Sequence, residues 1–254
     1  MFVARIRQMG GAHWIALFSF VLVSWIALWM MMVPPEVRAL SAIYGPDFWR
    51  DLCAVGAGGT GFFRLWLMWS LMAGAMMAPT ALPAFAVYDD LPGSAKPDGG
   101  FAALVVGYLT VWFGAAGLGA AAQIWLATAG LTDMFGASRS TTFTAVLLAS
   151  AGLYQFSTIK ESCLAKCRRP LSFFMAHFSD GPFRMGLRLG AVCLGCCWAL
   201  MALAFVGGMQ SLAFMGGATV LMVLEKLPEV GRYLTKPVGF GLIAAAAVLG
   251  IMSI

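Results

Sequence analysis

Uninterrupted apolar runs of about 20 residues dominate the chain, and the segments between them hold most of its charges. An α-helix rises about 1.5 Å per residue, so a run of this length crosses the roughly 30 Å hydrocarbon core of a bilayer. Backbone polar groups in hydrocarbon must be satisfied within the chain, which favours helices for such runs. The runs therefore predict an all-α fold, a polytopic transmembrane helix bundle that forms one integral membrane domain over residues 1–254.

The composition excludes the soluble alternatives. The chain is 61% hydrophobic and 11% charged, whereas a soluble domain has about 25% charged residues with which to cover its surface. The same numbers exclude intrinsic disorder. A net charge of +5 on so apolar a chain does not support binding to nucleic acid, and the predicted partner is the lipid bilayer.

Seven apolar runs are candidate spans, and six spans would remain if the last run lay flat on the membrane surface. The runs are roughly Trp14–Val33, Phe62–Tyr88, Phe101–Ala129, Thr142–Ile159, Leu187–Val206, Met209–Leu224 and Val238–Ile254. Pro79 and Pro83 predict a kink in the second span. Gly207 and Gly208 predict a tight hairpin between the fifth span and the short sixth span.

The distribution of basic residues predicts the topology. Seven spans place the N-terminus and the loops 89–100, 160–186 and 225–237 on one side of the membrane. Four of the 16 basic residues fall on the other side, and they are Arg38, Arg50, Arg64 and Arg139. The positive-inside rule then predicts a cytoplasmic N-terminus. It also makes residues 160–186 a cytoplasmic loop that contains cysteine and arginine.

Three methionines are spaced four residues apart on the second span. Met68, Met72 and Met76 therefore share one helical face. Thioether sulfur is a soft, uncharged ligand that suits Cu(I). The alternative is that these methionines fill gaps between packed helices, and taken alone the stripe fits that interpretation better.

The fifth span carries a denser group of sulfur ligands. Cys193, Cys196 and Cys197 stand at i, i+3 and i+4, and Met201 continues the same face. Their spacing is unlike the paired C-x2-C units of a structural zinc ribbon. They are either ligands of a soft metal ion or small hydrophobic residues that allow close helix packing, and the spacing favours neither.

The 160–186 loop holds two more thiols, Cys163 and Cys167, which share a face if the segment is helical. Cytoplasmic thiols stay reduced, which favours a metal or redox role over a structural disulfide. Neighbouring lysine and arginine side chains favour the thiolate form. The alternative is an interfacial helix whose basic residues meet anionic lipid headgroups, and the two roles are compatible.

Two further candidate ligands are isolated. Glu225 lies at the inner end of the sixth span, where a carboxylate is a functional candidate by default. Its alternative role is an ion pair with Lys226 or Arg188. His177 is a lone histidine in the 160–186 loop and argues little by itself. The sequence shows no acid–base pair and no nucleophile–base constellation, so it does not predict an enzyme.

Depths counted along the helices place both sulfur groups near the middle of the bilayer. Cys193 to Cys197 lie roughly 9 to 15 Å from the inner end of their span, and Met72 and Met76 lie about 15 to 21 Å from the outer end of theirs. If the second and fifth spans are neighbours, a ladder of sulfur ligands extends from the methionines to the cysteines. Cys163 and Cys167 would form its cytoplasmic end.

Four blocks of sequence together resemble a known family. They are Ala151–Ser157 with the Lys160 to Pro170 segment, Arg184–Arg188, the string Cys-Leu-Gly-Cys-Cys-Trp-Ala-Leu-Met at 193–201, and Leu224–Leu227. The block Met72, Met76, Met77 and Pro79 fits as well. The chain resembles a bacterial family of predicted metal-binding integral membrane proteins, one of which is understood as a membrane copper chaperone of a bacterial tyrosinase.

The chain departs from the family pattern next to the cysteines. Leu189 stands where relatives commonly have histidine, Val192 where an aromatic is usual, and Thr158 where proline is usual. The missing histidine leaves an all-sulfur site as the form that the resemblance implies.

The resemblance and the sulfur pattern lead to one hypothesis and one alternative. The hypothesis is a protein of the bacterial cytoplasmic (inner) membrane that binds a soft metal ion, Cu(I), and delivers it to, or helps assemble, a partner metalloenzyme. The alternative is a metal-free structural or assembly subunit of a larger membrane complex.

Overall fold

The computed structural model describes residues 11–32, 59–91, 97–208 and 211–252. Its helices are α1 (Ala12–Met32), α2 (Gly59–Asp89), α3 (Gly100–Thr128), α4 (Thr141–Tyr154), α5 (Thr158–Arg168), α6 (Pro170–Ala176), α7 (Pro182–Ala202), α8 (Ala204–Gly207), α9 (Leu212–Lys226) and α10 (Gly231–Met252), with a 3₁₀ turn at Phe178–Asp180. Within these ranges the extended structure is a single bridge between Thr132 and Ser138. The predicted all-α class is confirmed.

Five helical segments in the described part of the chain are long and apolar enough to cross a membrane. They are Ala12–Met31, Gly61–Asp89, Gly100–Thr128, Pro182–Gly207 and Gly231–Met252. Helices α4 and α5 together make a sixth candidate, bent by 60°. Helix α9 has 15 residues, about 22 Å, which is shorter than the hydrocarbon core. The structure therefore supports five or six spans, and the seven-span count is not confirmed.

Some helices begin before the predicted apolar runs, and one predicted span is divided. Helix α7 begins at Pro182 rather than Leu187, and α10 begins at Gly231 rather than Val238. The fourth predicted span is interrupted after Tyr154, because Ser157 starts a new helix by accepting the backbone N–H of Lys160 on its hydroxyl. The predicted hairpin at Gly207 and Gly208 is followed by residues 209 and 210, which lie outside the described residues; Gly208 has φ +80°.

The predicted 160–186 loop is largely helical. Helices α5 and α6 and the 3₁₀ turn fill most of the segment before α7 begins at Pro182. The sequence predicts a shared face for Cys163 and Cys167 if this segment is helical, and the helical segment is confirmed.

Helix α2 runs through both of its prolines. Pro79 has no N–H, so the carbonyl of Ala75 loses its intrahelical partner. The indole Nε1 of Trp25 on α1 donates to that carbonyl at 3.0 Å. Because of the proline, a backbone carbonyl of α2 is available to accept a hydrogen bond from α1.

Helices α3 and α7 touch through glycines. A Cβ on Gly186 would overlap the carbonyl oxygen of Leu104, and a Cβ on Gly107 would overlap that of Phe183. Gly186 and Gly190 are four residues apart, which is the small-xxx-small spacing that lets two membrane helices approach closely. This contact brings the middle of α7 against Tyr108 on α3.

One end of the bundle, where α2 ends and α3 and α7 begin, is here called the basic end. Here Trp14 and His13 contact Asp89, and the ring of Tyr88 packs on Phe174. Exposed basic side chains at this end are those of Arg184 and Arg188 on α7 and of Arg169, which precedes α6. The clustering follows the charge distribution of the sequence, and the cytoplasmic placement of this end stays a prediction.

Candidate metal centre

Three buried thiols of α7 form the centre of the site. Cys193, Cys196 and Cys197 are each at most 2% exposed, and their sulfur atoms lie within 4.8 Å of one another. We call these three residues the thiol cluster. In the described part of the chain, it is the one group of three or more histidine, cysteine or carboxylate ligands with such spacing. The i, i+3, i+4 pattern places all three on the helical face that is turned into the bundle.

Helix α5 brings a fourth thiol to the cluster. The Sγ atom of Cys167 lies 4.0 Å from that of Cys196, and Cys167 is half-buried. Cys163, one turn earlier, lies against Gly195, where an added Cβ would be 2.7 Å from its Sγ. The predicted shared face of Cys163 and Cys167 is thus turned towards α7. Five of the predicted ligands come together in this way.

Polar groups surround Cys193 on the side away from the other thiols. The Nζ of Lys226 lies 2.9 Å from its Sγ, the hydroxyl of Tyr108 lies 3.1 Å away, and Oγ1 of Thr80 lies 3.9 Å away. The hydroxyls of Thr80 and Tyr108 both donate to the carbonyl of Met77. Since their protons are used there, Lys226 is the donor that remains for the sulfur of Cys193.

A small cavity lies beside Cys193. Its volume is about 20 Å³, and it is lined by Cys167, Cys193, Lys226, Tyr108 and Leu189 among others. A space above roughly 10–15 Å³ holds one water-sized particle. A single ion therefore has room between α5 and α7 without separation of the core helices.

Two helices end where the thiol cluster lies. Cys193 is about 16 Å along the α7 axis from Pro182, yet it meets Lys226, the last residue of α9. The guanidinium Nε of Arg168 on α5 donates to the carbonyl of Glu225 at 2.9 Å and so satisfies one of the carbonyls that a helix end leaves unpaired. This hydrogen bond links the C-terminal ends of α5 and α9 next to the thiol cluster.

The predicted ion-pair alternatives for Glu225 were wrong. Its carboxylate pairs with Lys160 at 2.8 Å, with both side chains at most 2% exposed. Arg188 pairs with Asp180 instead, and Lys226 turns to Cys193. Consecutive residues on a helix point about 100° apart, so Glu225 faces α5 while Lys226 faces α7. The carboxylate is outside the thiol cluster, and a ligand role for it stays a prediction.

The methionines of α2 are buried one to three turns along the helix from Thr80, the residue through which α2 contacts Cys193. Met68, Met72 and Met76 are at most 3% exposed, and α2 reaches the cluster through Thr80. Met76 and Met72 lie one and two turns from Thr80, about 6 and 12 Å along the helix. Helix α3 packs against both α2 and α7, and the assumed contact between the second and fifth spans occurs at Thr80–Cys193 and again at Trp69–Phe205.

The two remaining predicted ligands, Met201 and His177, lie outside the thiol cluster. Met201 is 6% exposed and follows Cys197 by one turn on α7. The half-buried His177 follows α6, where its Nδ1 is 2.8 Å from the carbonyl of Phe173 and its ring packs on that of Phe173. His177 belongs to no group of ligands in the described part of the chain.

Three residues of the site were missed by the sequence interpretation: Thr80, Tyr108 and Lys226. Lys226 carried the one usable signal, because an ionisable residue at membrane depth is a functional candidate. Thr80 and Tyr108 carry no such signal, since a hydroxyl in a helix is ordinary until a neighbouring helix shows what it faces.

A protein-family model, PpoB2, described as a copper chaperone, matches residues 66–249. The match covers well over half of the chain and includes the thiol cluster, Cys163, Cys167 and Lys226. No curated protein and no solved structure matches the chain. The family description is of a chaperone and not of a catalytic enzyme. The chain belongs to this copper chaperone family.

Proposed function

We propose that the protein binds Cu(I) through two thiolates of the thiol cluster at a time, with Cys167 as an exchange ligand, and passes the ion to a partner metalloenzyme. The observation that carries this proposal is the set of three buried thiols within 4.8 Å of one another in a chain of the copper chaperone family. The bound ion is cargo and not a catalyst.

The chemistry of the donor set favours a soft ion. Thiolate and thioether ligands select Cu(I) over hard cations such as Mg²⁺ or Ca²⁺. Metal–sulfur bonds of about 2.3 Å allow two sulfur ligands of one ion to lie up to about 4.6 Å apart. The sulfur pairs Cys196–Cys197 at 3.3 Å and Cys167–Cys196 at 4.0 Å fall within that limit, so one ion can bind them with small side-chain shifts.

Cys167 and Cys163 provide a path out of the buried cluster along α5. Both are less buried than the cluster, and they lie one turn apart on α5. An ion that exchanges Cys196 for Cys167 moves from α7 to α5 without being released into the membrane. The thioethers of Met68, Met72, Met76 and Met201 extend the sulfur path into the bundle.

Metal binding is tested by loading the purified protein with Cu(I) under reducing conditions and counting bound copper. The wild type is expected to hold about one equivalent, and the triple variant Cys193→Ser, Cys196→Ser and Cys197→Ser is expected to lose it. Cys53→Ser, outside the family match, is the matched control and keeps it. Copper retained by the triple variant would place the copper site outside the thiol cluster, and a wild type that holds no copper would favour the metal-free assembly subunit.

Transfer is tested separately by mixing the loaded protein with a chromophoric Cu(I) chelator. Cys167→Ser is expected to slow copper loss at least ten-fold while leaving most of the bound copper in place. Equal rates in wild type and variant would remove Cys167 from the path.

The membrane in this proposal is the bacterial cytoplasmic membrane, with the basic end inside. Support comes from the basic side chains that gather at one end of the bundle. Reporter domains fused within the 89–100 loop test the orientation, and a reporter active outside the cytoplasm would reverse it.

A further inference from the structure

Lys226 carries a buried positive charge that no carboxylate neutralises in the described part of the chain. Its side chain is 6% exposed, and its ammonium donates to Thr80 at 2.6 Å and to Cys193 at 2.9 Å. The nearest carboxylate in sequence, Glu225, is occupied by Lys160. A buried ammonium without an opposite charge has a high free-energy cost at membrane depth. A negatively charged group next to Lys226 would reduce that cost.

The loaded site supplies that negative charge. Each thiol that becomes a thiolate ligand releases one proton and contributes one negative charge. A Cu(I) ion held by two thiolates therefore carries a net charge of −1, which is itself costly away from water. One ammonium next to the complex makes the whole neutral.

We propose that Lys226 is the charge-compensating residue of the loaded site: its ammonium balances the negative charge of a Cu(I) ion held by two thiolates of the cluster. This inference rests on the proposed function. Lys226 touches the ligand Cys193 and not the metal, and it acts on copper affinity through charge.

The surroundings of Lys226 suit this role. Thr80 holds the ammonium independently of Cys193, so the charge stays in place when the sulfur turns towards a metal ion. The cavity of about 20 Å³ between Lys226, Cys193 and Cys167 gives the sulfur room to do so. The preceding residue of α9, Glu225, pairs with Lys160 and so fixes α9 against α5.

The test compares variants that remove the charge with one that removes a hydrogen bond. Lys226→Met removes the charge at similar length, and Lys226→Gln removes the charge while keeping a donor. Thr80→Val keeps the charge and removes the hydroxyl that holds it. Lys226→Arg restores a positive charge. Cu(I) affinity is measured by competition with a chromophoric chelator, and the number of sulfur ligands is measured by X-ray absorption.

Both neutral variants are expected to bind Cu(I) at least ten-fold more weakly than wild type, and Thr80→Val is expected to lose less than either. Lys226→Arg is expected to recover most of the affinity, with two sulfur ligands as in wild type. Neutral variants within three-fold of wild type, or a loss in Thr80→Val equal to that in Lys226→Met, would overturn the charge role.

The proposed function fails in a distinguishable way. A wild-type protein that holds no Cu(I), or a triple cysteine variant that still holds it, overturns copper binding by the cluster and the role of Lys226 with it. A wild type that binds through the cysteines, next to neutral Lys226 variants of unchanged affinity, overturns only the charge role.

Discussion

The hydroxyl of Tyr108 on α3 lies 3.1 Å from the sulfur of Cys193 on α7. The approach is possible because Gly186 and Gly190 present backbone, and no side chain, to α3. Cys193 is thereby held against a tyrosine and a lysine, while Cys196 is held against Cys167. The glycines of one helix thus decide which polar groups the thiols of that helix meet.

The glycine contact is expected to be a major source of stability. In Gly186→Ala, the new Cβ would overlap the carbonyl of Leu104, and the rigid backbone there cannot yield. We expect a loss of about 1–3 kcal/mol, the usual cost of overpacking, measured as a lower thermal unfolding midpoint in detergent. Gly114→Ala, on α3 with no atom within 4 Å of the added Cβ, is the control. It should be neutral or gain up to about 1 kcal/mol of helix propensity.

The position of Cys163 is expected to depend on Gly195. A Cβ in Gly195→Ala would lie 2.7 Å from the Cys163 sulfur, so the thiol must move away from α7. Alkylation of Cys163 in the copper-free protein, followed by mass spectrometry, should then be faster than in wild type. Ser162 is exposed on the same helix, and alkylation of a cysteine introduced there is the control. An unchanged rate at Cys163 would show that α5 shifts as a whole.

Leu189 is expected to accept a new ligand. It is 3% exposed and lines the cavity beside Cys193 and Cys167. In Leu189→His, an imidazole would face that cavity, and we expect the copper-loaded variant to show a nitrogen ligand by X-ray absorption. Leu189→Met is the size-matched control without nitrogen. An all-sulfur spectrum in Leu189→His would mean that the copper lies away from the cavity.

The buried pair Lys160–Glu225 is expected to affect the stability of the fold through its charges. Removing one partner leaves an uncompensated buried charge, which costs about 3–5 kcal/mol, so Glu225→Gln should lower the thermal unfolding midpoint strongly. The double variant Lys160→Met with Glu225→Gln removes both charges and should recover most of that loss. A double variant with a thermal unfolding midpoint as low as that of Glu225→Gln would indicate that the pair is needed for its hydrogen bonds and for the geometry of α5 against α9.

Much of the architecture followed from apolar runs and helical spacing. The runs identified α1, α2, α3, α7 and α10 as helices long and apolar enough to cross a membrane, because length and hydropathy are properties of one segment alone. The same is true of the cysteine faces, since i, i+3 and i+4 positions coincide on any α-helix. The break between α4 and α5 was missed because the hydropathy continues through it, although Ser157 is a common N-cap residue.

The polar contacts of the site could not be predicted from residue type and local spacing. Glu225 and Lys226 are neighbours in sequence, and their partners lie on α5 and α7. Which partner each one meets depends on the rotation of α9 about its axis, and that rotation is set by packing against other helices.

The sequence by itself determined an all-α chain with helices long and apolar enough to cross a membrane, a face of three thiols, and membership of a family with copper chaperones, since each depends on residue type and local spacing. Only the tertiary structure decided that Cys167 joins those thiols, that Lys226 and Tyr108 meet Cys193, and that Glu225 pairs with Lys160. These contacts join residues that are 29 to 85 positions apart. They depend on how closely and at what rotation the helices pack, which is a property of the assembled bundle and of no single segment.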